Sequence, residues 1–301
     1  MRAAAWLNLV GNLLIIATGG AVRLTASGLG CDQWPLCTTT SLVPGIDEGV
    51  HGVIEFSNRM MSPVLGVLAL AALVAVWRFR RSRRDLWAHA WIILAGIVVQ
   101  GVIGGIVVLT RLSMSTVGVH YVVSATLVGV CASFVLRTYR EAGPRVRAVP
   151  RWVAILTHVM SLLLALVVLG GVLTTQNGPH SGDEEIIRDS SAWDTLVHVH
   201  AWLGYALSAV LVALLVGGLV ARARRFSTAV GVLILTVAVQ IVVGVVQARI
   251  GIPPLLVGIH MVLAGITVAL GVWVVDSVKR PAPRAPEDIA EVVGLGARRT
   301  R

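Results

Sequence analysis

Long apolar runs separated by short polar breaks dominate the chain. Runs with few charges recur near 4–22, 53–77, 87–109, 116–138, 152–173, 195–220, 227–248 and 255–276. Each is about 20 residues or longer, the length an α-helix needs to cross a hydrocarbon core. The pattern predicts an all-α integral membrane protein with eight transmembrane helices. The first run follows Arg2 and so has the flank of a signal peptide. It is long for that role and lacks a small-x-small cleavage site, so it is expected to remain as a helix.

The breaks alternate in charge. The loop 78–84 (RFRRSRR), the stretch from Arg137 to Arg151, the group Arg222, Arg224 and Arg225, and Lys279–Arg280 are basic. The intervening loops carry Asp32, Asp47, Glu48, Asp183, Glu184, Glu185 and Asp189. The positive-inside rule then places both termini in the cytoplasm of a multi-pass protein of the cell membrane. Composition agrees: 56% of the 301 residues are hydrophobic, 13% are charged, and mean hydropathy is +0.84, more apolar surface than a soluble domain of this length can bury. The net charge of +10 lies in clusters between the spans, which makes it a topology signal and argues against a nucleic-acid partner. Residues 281–301 are polar, contain proline and are expected to form a disordered cytoplasmic tail.

The spans repeat. From Gln100 the third and fourth read QGVIGGIVVLTRLSMSTVGVHYVVSA, and from Gln240 the seventh and eighth read QIVVGVVQARIGIPPLLVGIHMVLAG. Without a gap Gln100 aligns with Gln240, and His120 with His260. The end of span one (TGGAVRLT) and the end of span five (LGGVLTTQ) agree at the glycines. Duplication of a four-helix unit predicts two pseudo-symmetric four-helix bundles, residues 1–145 and 146–280, in parallel orientation.

Ionisable groups within such bundles mark function. His89 and His158 fall near cytoplasmic helix ends and His180 in a polar loop, where solvated or interfacial side chains are expected. His120 and His260 begin the fourth helix of each half. His198 and His200 begin span six and lie roughly 200° apart on the helix, so one of them faces inward. His200 is followed at helical spacing by the small residues Gly204 and Ser208, His198 by Trp202 and Ala206, so His200 is favoured beneath a planar macrocycle. His200 and His260 form a bis-imidazole pair suited to a low-spin haem, and two histidines alone do not suit structural zinc. The alternative is two histidines hydrogen-bonded within helix packing. In the first half Asn58 occupies the place of His200, above Ser62 and Gly66, so His120 lacks an evident partner. His51 lies on the same face as Asn58 but roughly 10 Å along the axis. It could serve only if the helix starts irregularly. Glu55 shares a face with Asn58, and Arg59 is a candidate partner for that carboxylate or for a haem propionate.

The run TASGLGCDQWPLC, the run IEFSNR, and the histidines on spans four, six and eight resemble the haem A synthase family over roughly residues 10–276. Where that family has Glu-x-x-His-Arg, this chain has Glu55-x-x-Asn58-Arg59, as in its actinobacterial branch. The resemblance implies oxidation of a ring methyl of haem O to a formyl group, giving haem A for cytochrome oxidase. It implies a haem b cofactor ligated by His200 and His260. In the first half it implies a haem O site with His120 at the iron, Asn58, Arg59 and His51 around it, and Glu55 essential to the chemistry. Cys31 and Cys37 flank a Gln-Trp-Pro turn on the outer loop, where spacing and compartment permit a disulfide, the alternative being two free thiols. The resemblance makes the pair redox-labile. Cys131 reads as a buried small hydrophobe. Haem O synthase and oxidase assembly factors are partners expected from the pathway alone, and lipid or a second copy of the chain are allowed by the apolar surface.

Two other classes compete. A di-haem cytochrome b-type electron-transfer protein wants two histidine pairs and has no use for Glu55. A transporter with parallel repeats wants broken helices and charges near the midplane, whereas the interior charges here lie near the outer ends.

Overall fold

The structure, a computed structural model, describes residues 1–141, 143–185 and 191–282. Asp189 and all of the tail beyond Ala282 lie outside the described residues. Eight long helices form among them: α1 (Arg2–Leu24), α2 (Gly49–Trp77), α3 (Arg84–Leu109), α4 (Met114–Thr138), α5 (Arg151–Gln176), α6 (Trp193–Val220), α7 (Arg224–Arg249) and α8 (Pro254–Ser277). Each contains one of the expected spans and is long and apolar enough to cross a membrane. The helices outrun the apolar runs by a few residues at one or both ends, as with Arg2, Arg84, Arg151 and Arg224 at their starts. Local chemistry sets several ends. Ser113 caps α4 by accepting from the Thr116 backbone N–H, and α8 starts with Pro254, whose missing donor is harmless in a first turn.

Within each half the helices close into a ring: α1 on α2, α2 on α3, α3 on α4 and α4 back on α1, repeated for α5 to α8. The halves meet through α1, α4, α5 and α8. Small residues allow that close approach, as expected where lipid removes any hydrophobic drive between helices. A methyl group placed on Gly265 would come within 3.0 Å of Leu13, and one on Gly118 within 3.2 Å of Val172. The Tyr121 hydroxyl donates across the interface to the Met261 carbonyl at 3.0 Å, and Arg23 donates from α1 to the Thr175 carbonyl at 2.7 Å. One departure from all-helical structure is a short antiparallel ribbon, in which β1 (Arg145–Arg147) from the link between the halves pairs with β2 (Lys279–Pro281). The ribbon therefore begins the tail with ordered residues at Pro281 and Ala282.

The packed cores occupy one end of each bundle. In the first half Leu9, Val76, Leu86, Ile93 and Phe134 are buried together, and in the second Val153, Leu211, Leu214, Phe226 and Val230. This is the end that carries the basic loops. Trp6, Trp77, Trp91 and Trp152 stand exposed around it, as an aromatic belt does at a membrane surface. Aliphatic side chains such as Val67, Val74, Leu162 and Leu235 face outward along the spans, matching hydrocarbon as the surrounding solvent.

One carboxylate organises the basic end. The Asp276 side chain is 2% exposed and receives Arg225 at 2.8 Å, Arg145 at 3.4 Å and also Arg140. It thereby ties the end of α8 to the start of α7 and to the link following α4. Asp276→Ala should lower stability by about 3–5 kcal/mol, because it strands arginines around a buried position. A thermal unfolding series in detergent reads this directly, and an unchanged midpoint would contradict it.

Candidate functional site

The opposite end of the molecule, where the long loops lie, is hollow. A cavity of about 620 Å³ runs through both bundles and is walled by residues of both. The wall is rich in glycine and aliphatic side chains, with a few polar groups set among them. In the second half His200 on α6 and His260 on α8 face one another across it, with ring centroids 6.2 Å apart and planes at 76°. Two metal–nitrogen bonds of about 2 Å plus half of each ring fill that separation. His200 donates from Nδ1 to the Val167 carbonyl at 3.0 Å, which leaves Nε2 free to serve as an acceptor or ligand toward the cavity. Glycines make room for the rings: a methyl on Gly171 would sit 3.0 Å from His200 Cε1, and one on Gly244 would sit 3.2 Å from His260 Cε1. At Gly204, one turn beyond His200, a methyl would meet nothing within 4 Å, so the space above it belongs to the cavity.

This donor set fits haem. Among the described residues no group of three His, Cys, Asp or Glu side chains could hold a bare metal ion. Two imidazoles alone in an apolar slot are what a macrocycle with its own four nitrogens requires. His198, by contrast, is exposed and bonded through Nδ1 to the Asp194 carbonyl of its own helix at 2.7 Å, as its place on the helix predicts.

The first half repeats this architecture with one ring missing. His120 on α4 lines the cavity, and a methyl on Gly104, the counterpart of Gly244, would sit 3.4 Å from its Cε1. Gln100 donates to the His120 carbonyl at 3.1 Å and to the Ser124 hydroxyl, fixing the start of α4 on α3. The buried His120 Nδ1 and Gln100 Oε1 have no hydrogen-bond partner among the described residues. Asn58 lines the cavity from α2, and its Oδ1 accepts from the Thr18 hydroxyl at 2.7 Å. His51 does not join them. It sits exposed on the first turns of α2 with Nδ1 2.9 Å from Ser27 Oγ, outside the cavity wall. The irregular start that would carry His51 inward is absent, because α2 runs regularly from Gly49.

Glu55 and Arg59 do form an ion pair, at 2.6 Å, and together they clamp the outer loop. Cys31 and Cys37 are joined in a disulfide. Glu55 Oε2 accepts from the Cys31 backbone N–H at 2.5 Å. The Arg59 guanidinium donates to the carbonyls of Cys31 at 2.6 Å and of Gln33 and Leu36 at 2.9 Å, and twice to Glu55 Oε1. All five of its N–H groups are thus directed into the protein. Of the two partners expected for Arg59, the Glu55 carboxylate is the one it meets, and Arg59 borders the cavity as well. The clamp presses the loop onto the bundle. Trp34 lies so close to α3 that a methyl on Gly105 would come within 2.5 Å of its ring, and Trp34 and Pro35 complete the wall beside Glu55. Glu55, 4% exposed, is the one carboxylate among the described residues lining the cavity.

Two basic wall residues were not expected from sequence. His180, read as a solvated loop residue, lines the cavity with Nε2 2.9 Å from the Ile252 carbonyl. Arg23, within the glycine-marked end of α1, is 9% exposed and also on the wall. Its signal was a lone cation closing an apolar span, whereas the aperiodic loop around His180 carried none. His89 is half-buried rather than solvated, with Nε2 3.0 Å from Ser133 Oγ and its ring stacked on Phe134, but it sits at the basic end away from the cavity. His158 is exposed and Cys131 is buried, as expected. Since the loop is held by planar, forked donation, Arg59→Lys should loosen it. Reduction of Cys31–Cys37 by an added thiol, followed by alkylation and gel shift, should then run about tenfold faster, the equivalent of one charge-assisted hydrogen bond. An unchanged rate would show that the clamp does not hold the loop.

Comparison with known proteins bears on the whole chain. Residues 2–274 match the family model described as cytochrome oxidase assembly protein. A stretch covering 47% of the chain is 33% identical to the heme A synthase of Shouchella clausii, over 46% of that protein. Another covering 45% is 30% identical to the heme A synthase of Geobacillus kaustophilus, over 42% of it. One covering 40% is 32% identical to that of Symbiobacterium thermophilum, over 39%. The matched stretches thus span less than half the length of these relatives. With the family match running through all eight helices, the chain belongs to the cytochrome oxidase assembly protein family.

Proposed function

We propose that this chain is a haem A synthase, which oxidises a ring methyl of haem O to a formyl group. The observation that carries this reading is the His200–His260 pair, set 6.2 Å apart in a cavity shared with a second, differently furnished half. The names of the partial relatives support it. On this reading haem b is the resident cofactor, held by the two imidazoles, and haem O occupies the first half with His120 at its iron. The basic end faces the cytoplasm, as the arginine-rich loops favour, and the disulfide loop lies outside. Haem O synthase and oxidase assembly factors would be met in the same membrane, and the exposed apolar faces suit lipid or a second copy of the chain.

When bound, the haems supply the redox chemistry. Converting a methyl to a formyl group, with the oxygen counted as water, releases four electrons and four protons. The chain's own residues bind, orient and manage protons. His200 and His260 would hold the haem of the second half, whose chemistry would be electron transfer. His120 would hold the haem of the first half, with Asn58 beside it. Glu55, the one carboxylate on the cavity wall among the described residues, is the proton acceptor, through the lone pair of Oε2 that the Cys31 N–H does not use. Arg59 holds Glu55 in place by donating twice to its Oε1.

Haem extracted from membranes of cells making this protein together with a haem O synthase should include a new formyl-bearing species. His260→Ala and Glu55→Gln should reduce that species to background. Haem b alone, beside a control synthase that makes haem A, would instead favour a di-haem electron carrier.

A further inference from the structure

The substitution of Asn58 for a histidine is accompanied by a specific arrangement of its amide. Thr18, on α1 beside the glycine pair Gly19–Gly20, has two acceptors within reach of its one hydroxyl hydrogen, the Ile15 carbonyl of its own helix at 3.3 Å and Asn58 Oδ1 at 2.7 Å, and the shorter bond is the one to Asn58. Asn58 Nδ2 makes no hydrogen bond among the described residues, and the residue borders the cavity. The helix wall behind the amide is Gly19, where an added methyl would lie 3.9 Å from Oδ1 and 4.0 Å from Nδ2, so the wall leaves the amide about a methyl group's room. One turn along α2 Ser62 also lines the cavity, and Gly101 on α3 leaves open space, since a methyl there would meet nothing within 4 Å. The repeat that sets His200 against His260 sets Asn58 against His120.

A primary amide has one acceptor and one donor end. With the acceptor end satisfied by Thr18, the end turned to the cavity is the N–H donor. We propose that Asn58, oriented by Thr18, is a hydrogen-bond donor to a small electron-rich ligand on the face of the first-half haem opposite His120, and is not itself a ligand to the iron. This rests on the reading of the first half as a haem site. The ligand class is a small oxygen- or nitrogen-donor molecule or anion whose outer atom accepts a hydrogen bond. Asn58 touches that ligand, whereas Thr18 is a positioning residue that acts only through the amide. A histidine at this place would occupy the open face. An apolar residue would leave the face open but unable to hold a polar guest.

Azide titrated against the ferric, haem-loaded full-length protein tests this. Haem content per chain is measured separately, so loss of haem is not mistaken for loss of the donor. In the unaltered protein azide should bind at one haem only and leave the bis-histidine spectrum of the other unchanged. Asn58→Leu, at equal haem content, should weaken azide by roughly threefold to tenfold, as expected for one lost hydrogen bond. Thr18→Val, which removes nothing from the cavity wall next to the iron, should weaken it in the same direction, and Thr18→Ser should restore it. Asn58→His should abolish azide binding by closing the face. Equal or tighter azide binding in Asn58→Leu would overturn the proposal, as would a protein with two haems that binds no azide. Should Asn58→Leu fail to load haem, the Thr18→Val and Thr18→Ser pair decides alone, no change between them overturning it. A protein that retains haem in the second half only would overturn the haem reading of the first half and this inference with it.

Discussion

Inside a bilayer a polar side chain has no water to turn to, so each one buried there must be answered by protein or by ligand. That constraint sorts the interior of this molecule into two kinds of place. At the basic end the one deeply buried acid among the described residues, Asp276, is answered by arginines from three segments, and the surrounding bundle is largely aliphatic packing. At the loop end Glu55 is answered by Arg59 and the Cys31 N–H. Yet the buried amide oxygens of Gln100, Gln176, Gln240 and Gln247, and Nδ1 of His120, find no partner among the described residues. All five residues lie on the wall of the cavity. With Nδ1 of His260 they make up most of the unanswered atoms, though Asn8 Oδ1 and Ser227 Oγ lie toward the basic end; the cavity is where a polar-edged, largely apolar guest would sit.

Duplication explains why the halves look alike, and a few side chains explain why they need not act alike. Gln100 and Gln240, Gly104 and Gly244, and His120 and His260 occupy matching places in the wall. The difference is concentrated on α2 against α6, where Asn58 stands for His200, and in the outer loop that only the first half clamps with Glu55 and Arg59. A site ligated on both faces exchanges electrons without rearranging. A site with one histidine, an amide donor and a buried carboxylate at its wall can admit a second molecule. The two belong together, because Tyr121, adjacent to His120, donates to the carbonyl of Met261, adjacent to His260.

The spans, their number and the duplicated plan were legible in the chain, because apolar length and the Gln–His spacing are local properties that bilayer and bundle leave little freedom to override. The inward choice of His200 over His198 was legible for the same reason, through the small residues that follow it at helical spacing. What could not be read depends on contacts between segments distant in sequence. Arg59 donates to carbonyls more than twenty residues away, so its proximity to Glu55 alone could not reveal that it holds the outer loop. Thr18 meets Asn58 across two helices. His180 reaches the cavity by a loop with no periodicity, and the ribbon of β1 and β2 joins segments more than 130 residues apart, with nothing in either to announce a strand.

The central claim is that the two halves carry unlike sites, one closed by two imidazoles and one open beside Asn58. Electron paramagnetic resonance of the ferric protein loaded with both haems addresses it most directly. The account predicts one low-spin bis-imidazole signal, lost in His200→Ala and in His260→Ala, together with one high-spin signal that survives both substitutions and disappears in His120→Ala. Two low-spin bis-imidazole signals in the unaltered protein would contradict it.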